Sequence, residues 1–351
     1  MSRRHILIGF PLGVEATTSG GDLRPDLIAK LHAIDSSVDV VYAPVHDPEL
    51  LQAMRSGSYA SDGFASRFPQ AYLEALPTCE IILTLLAPTD LLHRAPALRW
   101  LANAGSGTEQ HMALGLSGSL VTLTCAKGVA ADSIAEFAMS QLLVLARGWP
   151  TRLQHQQQKL WKLAPCRNLK GLTLGLIGLG EIGSRCAHLA HAFGMRVVAM
   201  RRRSDAPPTP GVDLLASSGD LPAFLGQCDA VVVAAPLTRE TAGMFDRAAF
   251  SYMRHDAWLV NVARGGIVDE AALCDALHSG HLAGAAIDVF AKEPLPSDSP
   301  LWSAPNLLIS AHEAVNVEVY GLAVFDNFVL SFARYRRNEP LPGIVNTAAG
   351  Y

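Results

Sequence analysis

Charge is scarce in this chain. Asp, Glu, Lys and Arg make up 17% of its 351 residues, and the formal net charge is −4. That balance offers no broad basic field for a nucleic-acid backbone, so no nucleic-acid partner is expected. Cysteine is thin as well: Cys79, Cys125, Cys166, Cys186, Cys228 and Cys274 stand far apart, with no C-x-x-C pair and no histidines at zinc spacing. The pattern argues against a bound metal and reads as reduced, mostly buried thiols of a cytoplasmic protein. Long apolar runs are missing too. None approaches the roughly 20 residues that span a bilayer, so no membrane partner is expected. Arg3-Arg4 before Ile6-Leu7-Ile8 superficially resembles a secretory leader, but Gly9 and Pro11 break the apolar run, and an opening buried strand fits better. There is no internal repeat and no low-complexity segment.

What is present is apolar: 50% of the residues, patterned for a globular fold. The length suggests about two domains. Short apolar runs alternate with helical patterns, which predicts parallel sheets joined by crossover helices. Strands are expected at His5 to Phe10, Val38 to Tyr42, Cys79 to Leu85 and Leu98 to Ala104, with helices at Pro25 to Ala33 and Phe68 to Leu76. A long helix is expected to begin at Ser133, where Ser133-Ile134-Ala135-Glu136 has capping-box spacing. A second series of strands follows at Leu172 to Ile177, Arg196 to Met200, Ala230 to Ala235, Ala257 to Val262, Ala283 to Val289 and Asn306 to Ser310. Six strands complete a dinucleotide-binding sheet. The residues beyond them are too few for a domain and are expected to pack back on the first one, leaving a cleft between the two. The domains are therefore placed at 1–104 with 314–351, and at 105–313.

Gly178-Leu179-Gly180-Glu181-Ile182-Gly183 is a G-x-G-x-x-G that follows a buried strand and opens a helix. That context predicts a dinucleotide site. Gly178 suits the tight turn, Gly180 lets the backbone approach a pyrophosphate, and Gly183 permits close helix packing, with the phosphates at the helix N-terminus. Glu181 and Ile182 flank the same site. An NAD enzyme carries Asp or Glu at the end of the next strand, about 20 residues on, for the ribose 2′-hydroxyl. Here Arg201 stands in that place, followed by Arg202 and Arg203. Guanidinium groups bind a 2′-phosphate that a carboxylate would repel, so NADP(H) is the preferred cofactor, with NAD(H) as the alternative and a solvated basic loop as the bland reading.

Three more stretches place polar residues at the carboxyl ends of expected strands, the edge that faces ligand in such sheets. They are Asn261-Val262-Ala263-Arg264-Gly265-Gly266, Asp288-Val289-Phe290-Ala291-Lys292-Glu293-Pro294-Leu295-Pro296 and Ser310-Ala311-His312. With these the chain resembles the D-isomer-specific 2-hydroxyacid dehydrogenases nearly end to end, as far as Gly350-Tyr351, and glyoxylate and hydroxypyruvate reductases in particular. The resemblance implies two Rossmann-like α/β domains, a doubly wound dinucleotide-binding domain inserted into a flavodoxin-like substrate domain. It also implies reduction of a small 2-keto acid to the D-2-hydroxy acid, with Arg264, Glu293 and His312 as the active site. A 2-keto acid offers a carboxylate and an adjacent carbonyl. Arg264 can hold both. His312 can protonate the developing oxyanion, and Glu293 can fix the imidazole through its other nitrogen. Gly105-Ser106-Gly107-Thr108 matches the family's substrate-carboxylate loop, and glycine-rich turns make anion-binding nests; a plain interdomain hinge is the other reading. Pro236, Val262 and Asp288 are placed beside the cofactor, with Asp288 as a possible tuner of His312 or a mere strand cap.

The pattern departs from the family at Ala311, where many members have Pro, and at Glu313, a second carboxylate beside the histidine. Formate dehydrogenases of the superfamily carry Gln where Glu293 stands, so Glu293 points to keto-acid chemistry. The family usually forms homodimers through the region from Gln141 to Arg147 and on to Trp161, and Trp161 is the candidate aromatic reaching a partner's active site. Two rival readings remain: an NAD-dependent D-3-phosphoglycerate dehydrogenase-like enzyme, which Arg201 disfavours, and a non-catalytic dinucleotide-sensing corepressor-like protein, which would need a disordered tail or a peptide-binding groove.

Overall fold

The computed structural model describes residues 4–347 apart from 20, 48, 51–52, 54–65, 113, 203–207, 218 and 316. Arg203, Gly350 and Tyr351 lie outside the described residues. The chain divides into two compact units, one formed by Met1–Val129 with Asn316–Tyr351 and the other by Ala130–Val315.

In the first unit β1 (Arg4–Ile8), β2 (Val38–Tyr42), β3 (Cys79–Thr84), β4 (Trp100–Asn103) and β5 (Thr122–Cys125) form a parallel sheet in the order β2-β1-β3-β4-β5. This is the flavodoxin-like order. Strand β5 corrects the expected boundary at 104: Thr122–Cys125 pairs with Trp100–Asn103, so residues 105–129 belong to the first unit. Its four residues are flanked by glycine and serine turns, too short a run to stand out by periodicity. The C-terminal helix Val317–Arg336 packs on this sheet. Its Phe325, Phe328 and Phe332 are buried in one cluster with Ile6, Ile8 and Trp100, and Trp100 stacks on Phe328 and Tyr335, each at 5.2 Å. Gly321 is required there, since a Cβ would sit 2.6 Å from the Leu12 carbonyl carbon.

The second unit holds β6 (Thr173–Ile177), β7 (Arg196–Met200), β8 (Leu214–Ala216), β9 (Ala230–Val233), β10 (Ala257–Asn261), β11 (Leu282–Ile287) and β12 (Leu307–Ile309). They run parallel in the order β12-β11-β10-β9-β6-β7-β8. The order reverses between β6 and β9, and such a switch point is where α/β sheets open a ligand crevice at their carboxyl ends. β6, β9 and β10 are buried at every residue because helices cover both faces, which explains their unbroken apolar runs. β8 went unexpected: it is three residues long, largely exposed and at the sheet edge.

The long helix spans Ala131–Ala146 and starts two residues before the expected Ser133. Ala130 is its N-cap and provides no side-chain cap, while the Ser133 hydroxyl donates to the Ala314 carbonyl at 3.2 Å. The capping-box spacing is thus accounted for by a tertiary bond. Ala135 and Ala138 share a buried cluster with Cys186, Ala187 and Ala190 of helix Glu181–Ala192. Small side chains let two helices approach closely, which packs the dinucleotide-loop helix firmly against its support.

Candidate active site

The glycine turn has the three properties its spacing predicts. Gly178 has φ +95°, a conformation L side chains rarely adopt, and a Cβ there would sit 2.7 Å from the Ala235 nitrogen. A Cβ on Gly183 would lie 2.2 Å from the Gly178 carbonyl oxygen, so the helix rests directly on the turn. Gly180 is exposed at the helix N-cap, with nothing within 4 Å of its would-be Cβ. Open space over the middle glycine, beside free N–H groups, fits a dinucleotide pyrophosphate. Glu181 is exposed at the first helical position and Ile182 is half-buried against the core.

Arg201 directly follows β7 and is half-buried, and Arg202 is exposed. Near them Glu240 is held below the usual carboxylate range by a hydrogen bond from the Thr238 side chain and, more weakly, by the charges of Arg202 and Arg239. Pro236 is exposed past β9, and its carbonyl accepts a 2.7 Å bond from the Thr241 hydroxyl. Val262, one residue past β10, is 7% exposed and belongs to a buried hydrophobic cluster.

The candidate catalytic side chains follow the ends of β10, β11 and β12. Asn261, fully buried, ends β10. Its Nδ2 donates to the Arg264 carbonyl at 3.1 Å and its Oδ1 accepts from the Ala263 N–H at 3.1 Å, which folds the turn that carries Arg264. Arg264 is half-buried, and its Nη1 donates to the Ala263 carbonyl at 2.8 Å. Gly265 sets the next contact: a Cβ there would fall 1.9 Å from the Phe290 carbonyl carbon. The arginine turn and the loop after β11 therefore touch backbone to backbone, which only glycine permits.

That loop supplies the dyad. Glu293 Oε2 lies 2.9 Å from His312 Nδ1, and Glu293 Oε1 accepts from the Phe290 N–H at 3.1 Å. A carboxylate only accepts, so Nδ1 carries a proton and the ring orientation is set. Among the described residues Nε2 has no hydrogen-bond partner. His312 itself has φ +55°, in the left-handed region.

Asp288 holds it there. Its buried carboxylate accepts from Ser310 Oγ at 2.7 Å and from the N–H groups of Glu313 and Ala314 at 2.9 and 3.1 Å, while its carbonyl accepts from the His312 N–H at 2.8 Å. Of the roles expected for Asp288, its hydrogen bonds among the described residues are those of a residue that holds the turn. Glu313 is exposed, its N–H is engaged by Asp288, and Glu293 holds Nδ1. Asn261 and Ser310, which lie within the motifs, gain their roles only in the fold. A buried Asn or Ser at a strand end, beside a functional loop, was the available signal.

In the first unit the Gly105–Thr108 loop follows β4. Asn103 Nδ2 donates to the carbonyls of Gly105 and Gly107 at 3.0 and 2.6 Å, and the Ala126 N–H reaches the Gly105 carbonyl at 3.0 Å. Among the described residues the N–H groups of Ser106, Gly107 and Thr108 donate to nothing. Unpaired successive N–H groups make a concavity for an anion.

Known proteins agree with this layout. Residues 139–314 match the family model described as D-isomer specific 2-hydroxyacid dehydrogenase, NAD binding domain. The chain is 31% identical over 285 residues to a glyoxylate reductase of Korarchaeum cryptofilum, across 78% of this chain and 85% of that protein. It is 33% identical over 293 residues to a D-3-phosphoglycerate dehydrogenase of Mycobacterium tuberculosis, but spans only 53% of that relative. A solved D-isomer specific 2-hydroxyacid dehydrogenase from Xanthobacter autotrophicus Py2, in complex with NADPH and MES, has 28% identity and a TM-score of 0.76 with all of both chains covered. The switch-point glycine turn and the Glu293–His312 dyad thus sit in a chain that is, by sequence and by fold, an NAD(P)-dependent oxidoreductase of the D-isomer specific 2-hydroxyacid dehydrogenase family.

Proposed function

We propose that this protein uses NADPH to reduce a small 2-keto acid of the glyoxylate or hydroxypyruvate class to its D-2-hydroxy acid. The observation that carries the reading is His312, fixed at Nδ1 by Glu293 with Nε2 left for substrate. A bound nicotinamide dinucleotide supplies a hydride equivalent to the carbonyl carbon. His312 gives the proton from Nε2 to the carbonyl oxygen, a contribution of roughly 10²–10⁴-fold. Glu293 compensates the imidazolium through Nδ1, and in oxidation the same nitrogen accepts the proton. Arg264 binds the α-keto carboxylate and draws the carbonyl oxygen into place. The loop Gly105–Gly107 receives a carboxylate on its unpaired N–H groups.

Arg201, where an NAD enzyme carries an acid, supports NADP(H), as does the NADPH in the Xanthobacter relative. The name of the Korarchaeum relative supports a two-carbon substrate. No described helix is long and apolar enough to cross a membrane. The free, mostly buried thiols support our proposal of a cytoplasmic protein. We also assign a homodimer through the segment 141–161 and beyond. Trp149, Leu153, Leu160, Trp161 and Leu163 expose large apolar surface there, and Trp161 at 106% exposure is no core residue.

The test follows nicotinamide absorbance with NADPH and NADH against glyoxylate, hydroxypyruvate and phenylpyruvate, for the wild type and for His312→Asn and Arg264→Ala. NADPH-favoured turnover lost in both variants is the expected result. Preference for NADH demotes the arginines to surface charge. Tight dinucleotide binding without turnover of any acid overturns the reductase reading in favour of a dinucleotide sensor.

A further inference from the structure

We propose that Asn103 and the buried His111 are positioning residues that turn the N–H groups of the Gly105–Thr108 loop outward and so set its affinity for substrate carboxylate. The inference rests on the reductase reading and on the loop's role in it.

Asn103 ends β4 and is 2% exposed. Its two hydrogens go to the Gly105 and Gly107 carbonyls at 3.0 and 2.6 Å. In a planar trans peptide the carbonyl of one residue and the N–H of the next point in opposite directions. Drawing those two carbonyls inward therefore directs the Ser106 and Thr108 N–H groups away from Asn103. These are the N–H groups that find no partner among the described residues.

The amide works only in one orientation. Flipped, Oδ1 would face two carbonyl oxygens. His111 selects the working orientation: its Nε2 lies 3.1 Å from Asn103 Oδ1, an atom that only accepts, so Nε2 carries the proton. The Gln110 amide adds a longer bond to the same oxygen at 3.4 Å. The ring is 1% exposed, and burial pushes its pKa down to about 4, which keeps it neutral at working pH. Its own N–H closes back on the Thr108 carbonyl at 2.9 Å, tying the ring to the far end of the loop. A neutral, single-tautomer imidazole beneath the loop is thus a fixed donor, a support for one peptide geometry.

The experiment compares wild type, His111→Leu, His111→Gln and Asn103→Ala by steady-state kinetics with glyoxylate and NADPH, with the inhibition constant of oxalate as a second readout. His111→Leu leaves Asn103 Oδ1 with only the longer Gln110 bond and is expected to raise KM and the oxalate constant about 10- to 100-fold at nearly unchanged kcat and NADPH affinity. His111→Gln, which still offers an N–H, is expected to recover most of that loss, and Asn103→Ala to match or exceed His111→Leu. Unchanged KM in a folded His111→Leu, or equal damage in Leu and Gln variants, overturns the inference. A wild type that turns over no keto acid overturns the function reading instead, so the two failures are distinguishable.

Discussion

At the scale of single residues, Glu293 ties the His312 ring to the backbone. Oε1 accepts from the Phe290 N–H and lies 3.2 Å from His312 Nδ1, and Oε2 lies closer to that nitrogen, at 2.9 Å. In Glu293→Gln the backbone donor claims the one oxygen, and the amide NH2 turns to Nδ1. The ring must then move its proton to Nε2. We expect kcat to fall by about 10²–10⁴-fold with NADPH affinity unchanged, read by steady-state kinetics and cofactor titration. His111 gives a prediction of stability. Its pKa is lowered from 6.5 to about 4 by burial, so between those values the unfolded chain binds a proton that the folded one refuses. Stability present above pH 6.5 is therefore lost as the pH falls toward 4, by up to about 3 kcal/mol. The urea midpoint should drop across that window in wild type and drop less in His111→Gln.

At the scale of elements, the dinucleotide turn separates packing from binding in neighbouring glycines. Gly183→Ala puts a methyl 2.2 Å from the Gly178 carbonyl oxygen, a backbone atom that can yield only if the helix moves. It should lower both the melting temperature and cofactor affinity. Gly180→Ala meets nothing within 4 Å and should leave the melting temperature unchanged while weakening cofactor binding, because the methyl occupies the approach to the pyrophosphate. Equal melting temperatures for the two variants would contradict this division. The Asp288 turn shows the same logic at His312, the proposed proton donor. Asp288→Ala strips the acceptor from one hydroxyl and two backbone N–H groups, so His312 loses its left-handed setting. Activity should fall at retained secondary structure, measured by kinetics beside circular dichroism.

At the scale of the whole molecule, burial separates the thiols. Cys79, Cys186 and Cys228 are buried and pushed up to about 12, and burial raises Cys125 and Cys274 as well, while Cys166 is exposed. A thiol-exchange reagent at pH 8 should find one fast cysteine in the native protein and six after denaturation, and Cys166→Ser should remove the fast one. Each of the two units has its own parallel sheet, and the β2-β1-β3-β4-β5 order of the first differs from the β12-β11-β10-β9-β6-β7-β8 order of the second.

Local chemistry made much of this legible in the sequence. Unbroken apolar runs marked β6, β9 and β10 because strands covered on both faces have no polar side. The glycines announced a turn that no other residue enters, and Arg264, Glu293 and His312 stood out because they lie in the segments that follow the carboxyl ends of strands. Tertiary structure decided the rest. Only pairing with β4 makes a strand of Thr122–Cys125, and the fold brings the Ser133 hydroxyl to the Ala314 carbonyl. The type of Asp288 leaves tuning, capping and cofactor contact open, and only the fold brings three donors from residues 310–314 onto its carboxylate. The reason is common to all three: a side chain's type limits what it can bond, but its partner lies far away in the chain, and folding alone supplies it.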